Sequence, residues 1–199
     1  MNQANSKILD LGCGDNKVDG AIGIDIVDLD GVDIQHDILR FPYPLEDNSF
    51  SKIYIRHVIE HFNLYDIEKV YKECHRILQD DGILEVSVPH VFSTAAFSDP
   101  THKQYFTFDS GFFWDSKNSK SYYKEIVSSW TLKKTSGKVT WFDWKRPRLR
   151  YIDRLFSKII EKKINKSLSN FNNPSLADRI VNKYSFQFVE ITWIFQKKI

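Results

Sequence analysis

Two short groupings hold residue types that could do chemistry. The first is Gly12-Cys13-Gly14, directly after the apolar run Lys7-Ile-Leu-Asp-Leu11, together with Asp25 at the end of the next apolar run. Glycine has no Cβ and accepts positive φ, so a Gly-x-Gly bend at a strand end lets backbone approach a ligand closely. An acid ending the neighbouring strand of a doubly wound sheet faces the same crevice and can accept both hydroxyls of a ribose. The second grouping is His57-x-x-Glu60-His61. On a helix, His57 and His61 would share a face, as in a zinc peptidase with Glu60 as base. That chemistry needs a third ligand on a separate helix. None stands out and the motif follows a strand, so no metal is expected. His90 and His102 are further candidate bases, although a lone loop histidine ordinarily serves only its own hydrogen bonds.

The surrounding elements decide where these residues sit. Residues 7–11, 21–26, 53–55 and 83–88 read as short buried strands. Residues 64–78 place Leu64, Ile67, Val70, Tyr71, Cys74 and Ile77 at helical spacing, with Asp80-Asp81-Gly82 as the stop. Strands alternating with helical segments predict an α/β fold, a mostly parallel sheet with right-handed crossovers. Past Pro89 the pattern loosens. Residues 91–115 read as a loop and a short helix, 130–142 as a hairpin or edge strand, 148–165 and 175–183 as helices, and 186–195 as a last, antiparallel strand. No repeat or linker divides the chain. One domain is expected over 1–199, with a cofactor half at 1–90, a substrate-side half at 91–199, and a basic helical insertion at about 146–184.

Composition excludes several classes. Apolar residues make up 42% and charged residues 27% of 199, which are globular proportions. No apolar run reaches the roughly 18 residues of a membrane span, and no signal-peptide core is present. Cys13 and Cys74 read as thiols in a reducing compartment. The net charge of +2 hides an asymmetry: residues 1–100 carry a net of −10 and residues 101–199 a net of +12. Much of the excess lies in 145–166, whose lysines and arginines suit a solvated helix face, an anionic membrane surface, an acidic substrate or RNA. No RNA-binding signature accompanies it, so nucleic acid is not the expected partner.

Ile8-Leu9-Asp10-Leu11-Gly12-Cys13-Gly14 resembles the first motif of class I S-adenosylmethionine-dependent methyltransferases, within the type 11-like superfamily. Gly23-Ile24-Asp25-Ile26 resembles their acidic second-strand motif. Asn48 to Tyr54 followed by His57-Val58-Ile59-Glu60-His61-Phe62 is similar to their fourth-strand region, and Arg76 to Leu84 to the helix leading into the fifth strand. Asp99-Pro100-Thr101-His102-Lys103 with Phe106-Thr107 resembles a subset of such enzymes. The resemblance implies a Rossmann-like methyltransferase fold and S-adenosyl-L-methionine as cofactor. It implies Asp10, Gly12, Cys13 and Gly14 at the methionine end, Asp25 on the ribose, and Ile26 and Asp37 at the adenine. Arg56 and His57 would close the methionine side, with His57, His102 and His61 as candidate catalytic groups.

There are departures from the family pattern. Gly12 and Asp25 are 13 residues apart, where about 20 is usual. The first helix must therefore be cut to about one turn or lost. A third glycine is absent, with Asn16 and Lys17 in its region, and Lys17 could offer a point charge in place of a helix N-terminus. The usual covering N-terminal helix is also not expected. The reading is methyl transfer to an oxygen or nitrogen of a small molecule or glycan, in a cytoplasmic protein able to sit at a membrane periphery. A non-catalytic binding module with the same fold is the alternative, and an RNA methyltransferase a further one. A nicotinamide oxidoreductase fits less well, lacking the third glycine and a Tyr-x-x-x-Lys pair.

Overall fold

The computed structural model describes residues 7–117, 129–140, 150–169, 174–184 and 188–198. Seven strands form one sheet: β1 (Ile8–Leu11), β2 (Ile22–Asp25), β3 (Ile34–Gln35), β4 (Phe50–Arg56), β5 (Leu78–Pro89), β6 (Trp130–Thr140) and β7 (Phe188–Lys197), in the order β3-β2-β1-β4-β5-β7-β6. The first five pair in parallel. β7 enters antiparallel between β5 and β6. Strand order reverses between β1 and β4, and that switch point leaves a crevice beyond the strands' carboxyl ends.

The helices are α1 (Leu64–Ile77), α2 (Thr94–Ser98), α3 (Arg150–Leu168) and α4 (Pro174–Tyr184). In α1, Ile67, Val70, Tyr71, Cys74 and Ile77 recur at three- and four-residue spacing and are all buried. Asp80-Asp81-Gly82 does not stop this helix, contrary to expectation. The helix ends at Ile77, β5 begins at Leu78, and the triplet forms an irregularity inside the strand, with Asp81 at φ 60°. Pairing with β4 jumps from Phe50–Leu78 to Lys52–Ile83 across it.

No helix separates β1 from β2, β2 from β3 or β3 from β4. The two faces of the sheet consequently differ. One carries the core: Leu9, Leu11, Ile53, Ile55, Leu84, Val86, Ile191, Trp193 and Phe195 are fully buried. Tyr71 of α1 stacks on Trp114 at 4.5 Å and meets Phe195 and Trp130 edge-on. On the opposite face the polar side chains satisfy one another. Lys52 pairs with Glu85 at 2.8 Å and lies over the Tyr54 ring, and Ser87 bonds Thr192 across β5 and β7. β6 is the edge strand, as its alternation suggested. Asn165 of α3 caps it by bonding both the N–H and the carbonyl of Gly137 at 2.9 Å. α3 thus lies at the sheet edge furthest from β1 and β2. Its exposed Lys158, Lys162, Lys163 and Lys166 are away from the crevice, and the rest of the basic segment before residue 150 lies outside the described residues. Among the described residues no helix is long and apolar enough to cross a membrane.

Trp193 anchors the core of the second half. Its indole N–H reaches the Phe108 carbonyl at 3.3 Å, and a Cβ on Gly111 would come within 2.4 Å of its ring. Trp193→Ala is expected to cost about 3–5 kcal/mol, read as a lowered urea midpoint, because it empties a fully enclosed site.

Candidate functional site

A cleft of about 580 Å³ opens at the switch point, within the roughly 300–1,000 Å³ span of small-molecule sites. Gly12, Cys13, Gly14, Asp25, Ile26, Asp37, Arg56, His57 and His61 all line it, so most of the residues singled out in the sequence meet in one place. Leu39, Val58 and Phe62 line it too and carried no signal beyond being apolar. Asp10 and His102 are not in its wall.

The bend after β1 is held by carboxylates. Gly12 and Cys13 donate to the Ile24 carbonyl at 2.8 and 3.1 Å, which ties the bend to β2. Asp25 Oδ2 accepts from Gly14 N–H at 2.8 Å and Oδ1 from Val27 N–H at 3.1 Å. Asp10 is fully buried beneath the cleft, where Oδ2 accepts from Val18 N–H at 2.8 Å and from Arg56 Nη2 at 2.6 Å. Asp10 is therefore placed as a support of the bend and of Arg56. Arg56 also bonds the Asn16 carbonyl. Lys17 does not face the cleft: it pairs with Asp33 at 2.7 Å, whose Oδ2 also accepts from Gly23 N–H. Gly12 (φ 72°) and Gly14 (φ 53°) have left-handed backbone. A Cβ on Gly12 would strike Val58 at 2.4 Å, whereas one at Gly14 would meet nothing within 4 Å. The bend is thus packed at its first glycine and open at its second.

The far end of the cleft is apolar. Ile26 and Leu39 line it with 59% and 37% exposure. Asp37 lies beside them, its Oδ1 accepting from Leu39 N–H at 2.9 Å. These observations test the fit of an adenosyl group. The slot offers two apolar walls, an acid at its rim, a carboxylate with unused lone pairs at its middle, and a bare backbone corner. Side chains do not fill it. Asp10 Oδ1 and Arg56 Nε are moreover buried polar atoms with no hydrogen-bond partner among the described residues. The residues present suit S-adenosylmethionine.

The histidines separate into three situations. His57 sits at φ 56° just past β4. Its Nε2 contacts Glu190 Oε2 of β7 at 2.8 Å and its Nδ1 lies 3.5 Å from Glu60 Oε1. The bond to Glu190, then Glu60, raises its pKa to about 9. It is therefore a cation at neutral pH, with no lone pair to take a proton. It does not share a helical face with His61, because only residues 59–61 form a short 3₁₀ turn. His90 is fully buried, bonded to Asp178 of α4 at 2.8 Å and to Phe92 N–H at 3.1 Å, and belongs to the packing. His61 and His102 come together, with ring centroids 4.7 Å apart. The Glu60 carbonyl causes this by accepting from both Lys103 and Gln104 N–H, at 2.7 and 3.0 Å, which pulls the 99–104 loop onto the 3₁₀ turn.

The sign of the His57 shift sets a pH dependence. Its folded pKa lies above the ordinary 6.5, so its stabilising effect is complete below pH 6.5, declines above it, and is gone once pH passes about 9. His57→Gln is expected to melt below wild type at pH 6, with the gap closing by pH 10. A gap that widens with pH would contradict the pairing.

Residues 9–86 match the family model described as a methyltransferase domain. No curated protein matches the sequence. A solved S-adenosylmethionine-dependent methyltransferase from Archaeoglobus fulgidus superposes with a TM-score of 0.53 at 16% identity, over 97% of this chain and 86% of that one. The YcgJ protein of Bacillus subtilis superposes with a TM-score of 0.52 at 16% identity, over 98% of this chain and 92% of that one. At such identities the likeness is one of fold, and it agrees with the strand order and the antiparallel β7. Residues 9–86 thus resemble a methyltransferase domain, and the chain as a whole shares the fold of these solved structures.

Proposed function

We propose that the protein transfers a methyl group from S-adenosylmethionine to an oxygen or nitrogen of a small molecule or glycan. One observation supports this most: a single open cleft joins the bare Gly14 corner, the Asp25 carboxylate and the exposed apolar pair Ile26 and Leu39. When bound, the cofactor supplies an electrophilic methyl on a sulfonium. The chain's own part is chiefly positioning. Asp25 takes the ribose hydroxyls, Ile26 and Leu39 flank the adenine, and Arg56 at the other end suits a carboxylate. Fixing both reactants in one orientation removes much of the entropic barrier to an in-line displacement.

His57 contributes a fixed positive charge, held by Glu190, at the wall where an acceptor enters. His61 lines the same wall and carries the only candidate lone pair for proton acceptance among the histidines that line the cleft. The exposed lysines of α3 lie on a different part of the molecule and suit an anionic surface.

Calorimetry with S-adenosylhomocysteine tests the reading. Wild type is expected to bind. Asp25→Ala is expected to bind about 10- to 100-fold more weakly, the worth of a charge-assisted hydrogen bond. Failure of wild type to bind, or unchanged affinity in the variant, would overturn it.

A further inference from the structure

Glu60, His61 and His102 offer one ligand atom each, and the three atoms lie within 4.8 Å of one another. Glu60 is 1% exposed, and both its carboxylate oxygens are buried without a hydrogen-bond partner among the described residues. A buried carboxylate left this way is costly unless a cation or donor meets it. His57 Nδ1 stands 3.5 Å from Oε1, an ion-pair contact to that oxygen, while Oε2 meets no hydrogen-bond partner among the described residues.

Both histidines have their other ring nitrogen committed. His102 Nδ1 lies 2.9 Å from the Ala96 carbonyl, which can only accept, so Nδ1 carries the proton. His61 Nδ1 lies 2.8 Å from Thr101 Oγ1. The Thr101 hydroxyl donates to Asp99 Oδ1 at 2.6 Å, so it accepts from His61. Each neutral imidazole therefore keeps its lone pair on Nε2. A backbone carbonyl behind one ring, and a carboxylate reached through a hydroxyl behind the other, is the outer arrangement that orients metal-binding histidines.

We propose that Glu60, His61 and His102 form a binding site for a divalent first-row metal ion, zinc above all, beside the cleft wall at His61. Two neutral imidazoles and one carboxylate at about 2.0–2.2 Å make a three-ligand zinc site with an open fourth position. The site differs from the helical His57/His61 pair that the motif alone suggests, since the third ligand comes from the 99–104 loop. Its role rests on the methyl-transfer reading: a dication here would lower the pKa of an acceptor hydroxyl brought to it. Metal binding itself does not rest on that reading.

The test is calorimetric titration of chelator-treated, full-length protein with Zn²⁺, with S-adenosylhomocysteine titrated separately into the same preparation. Expected are one Zn²⁺ per chain, loss of at least tenfold in affinity in His102→Ala and in Glu60→Gln, and unchanged S-adenosylhomocysteine binding in His102→Ala. Thr101→Val, a surface change that removes only the support behind His61, is expected to weaken Zn²⁺ about tenfold. It keeps the test decisive if a ligand variant misfolds. Absence of stoichiometric Zn²⁺ binding, or affinity undiminished in both His102→Ala and Thr101→Val, would overturn the site. S-adenosylhomocysteine binding without Zn²⁺ would sink the metal site alone, and the reverse would sink the methyl-transfer reading alone.

Discussion

Three aspartates, Asp10, Asp25 and Asp33, hold the helix-free connection between β1 and β2 in place. Asp25 takes the Gly14 N–H, Asp10 takes the Val18 N–H and the Arg56 guanidinium, and Asp33 takes the Gly23 N–H and Lys17. Backbone N–H groups that would otherwise find partners inside a helix are met by side chains, so a ten-residue connection keeps one shape. The carboxylate that shapes the bend is also the one facing the cleft. In the proposed reading, ribose binding and the shape of the bend are therefore coupled at Asp25.

The same economy runs through the first half of the sheet. With no helices between the first four strands, one face packs around Tyr71, Trp193 and Phe195, and the other is closed by its own ion pair, cation–π contact and cross-strand bonds. Parallel sheets usually bury both faces. Here long side chains such as Lys52 and Tyr54 cover the second face themselves, and their half-buried state follows from it. The cleft survives this reduction because it depends on the carboxyl ends of β1, β2 and β4, not on what lies across the sheet.

Much of this was legible in the sequence. The strands through residues 7–11, 21–26 and 83–88 and the helix from residue 64 stand out because their apolar periods are unmixed. The 13-residue spacing from Gly12 to Asp25 left room for at most about one turn of the first helix, and the structure has none there. The two-residue β3 was too short to leave a period, and Asp80-Asp81-Gly82 has the composition of a helix stop although it bulges a strand. The cofactor side was readable because its residues follow strand ends in motif order. The acceptor side was not. His57 meets Glu190 across 133 residues, and His102 meets His61 through backbone bonds to Glu60 that no side-chain pattern announces. The His-x-x-Glu-His motif suggested a helical pair. A left-handed His57 at the strand end splits that pair and sends its two histidines to different partners.

The account stands on one spatial claim, that a purine nucleoside lies between Ile26 and Leu39 with its ribose on Asp25. A crystal structure of the protein grown with S-adenosylhomocysteine addresses it directly. The account predicts adenine between those two side chains, both ribose hydroxyls on the Asp25 carboxylate, and the sulfur near Gly14. Ligand density elsewhere, or an Asp25 still bonded only to Gly14 and Val27 with the nucleoside out of reach, would contradict it.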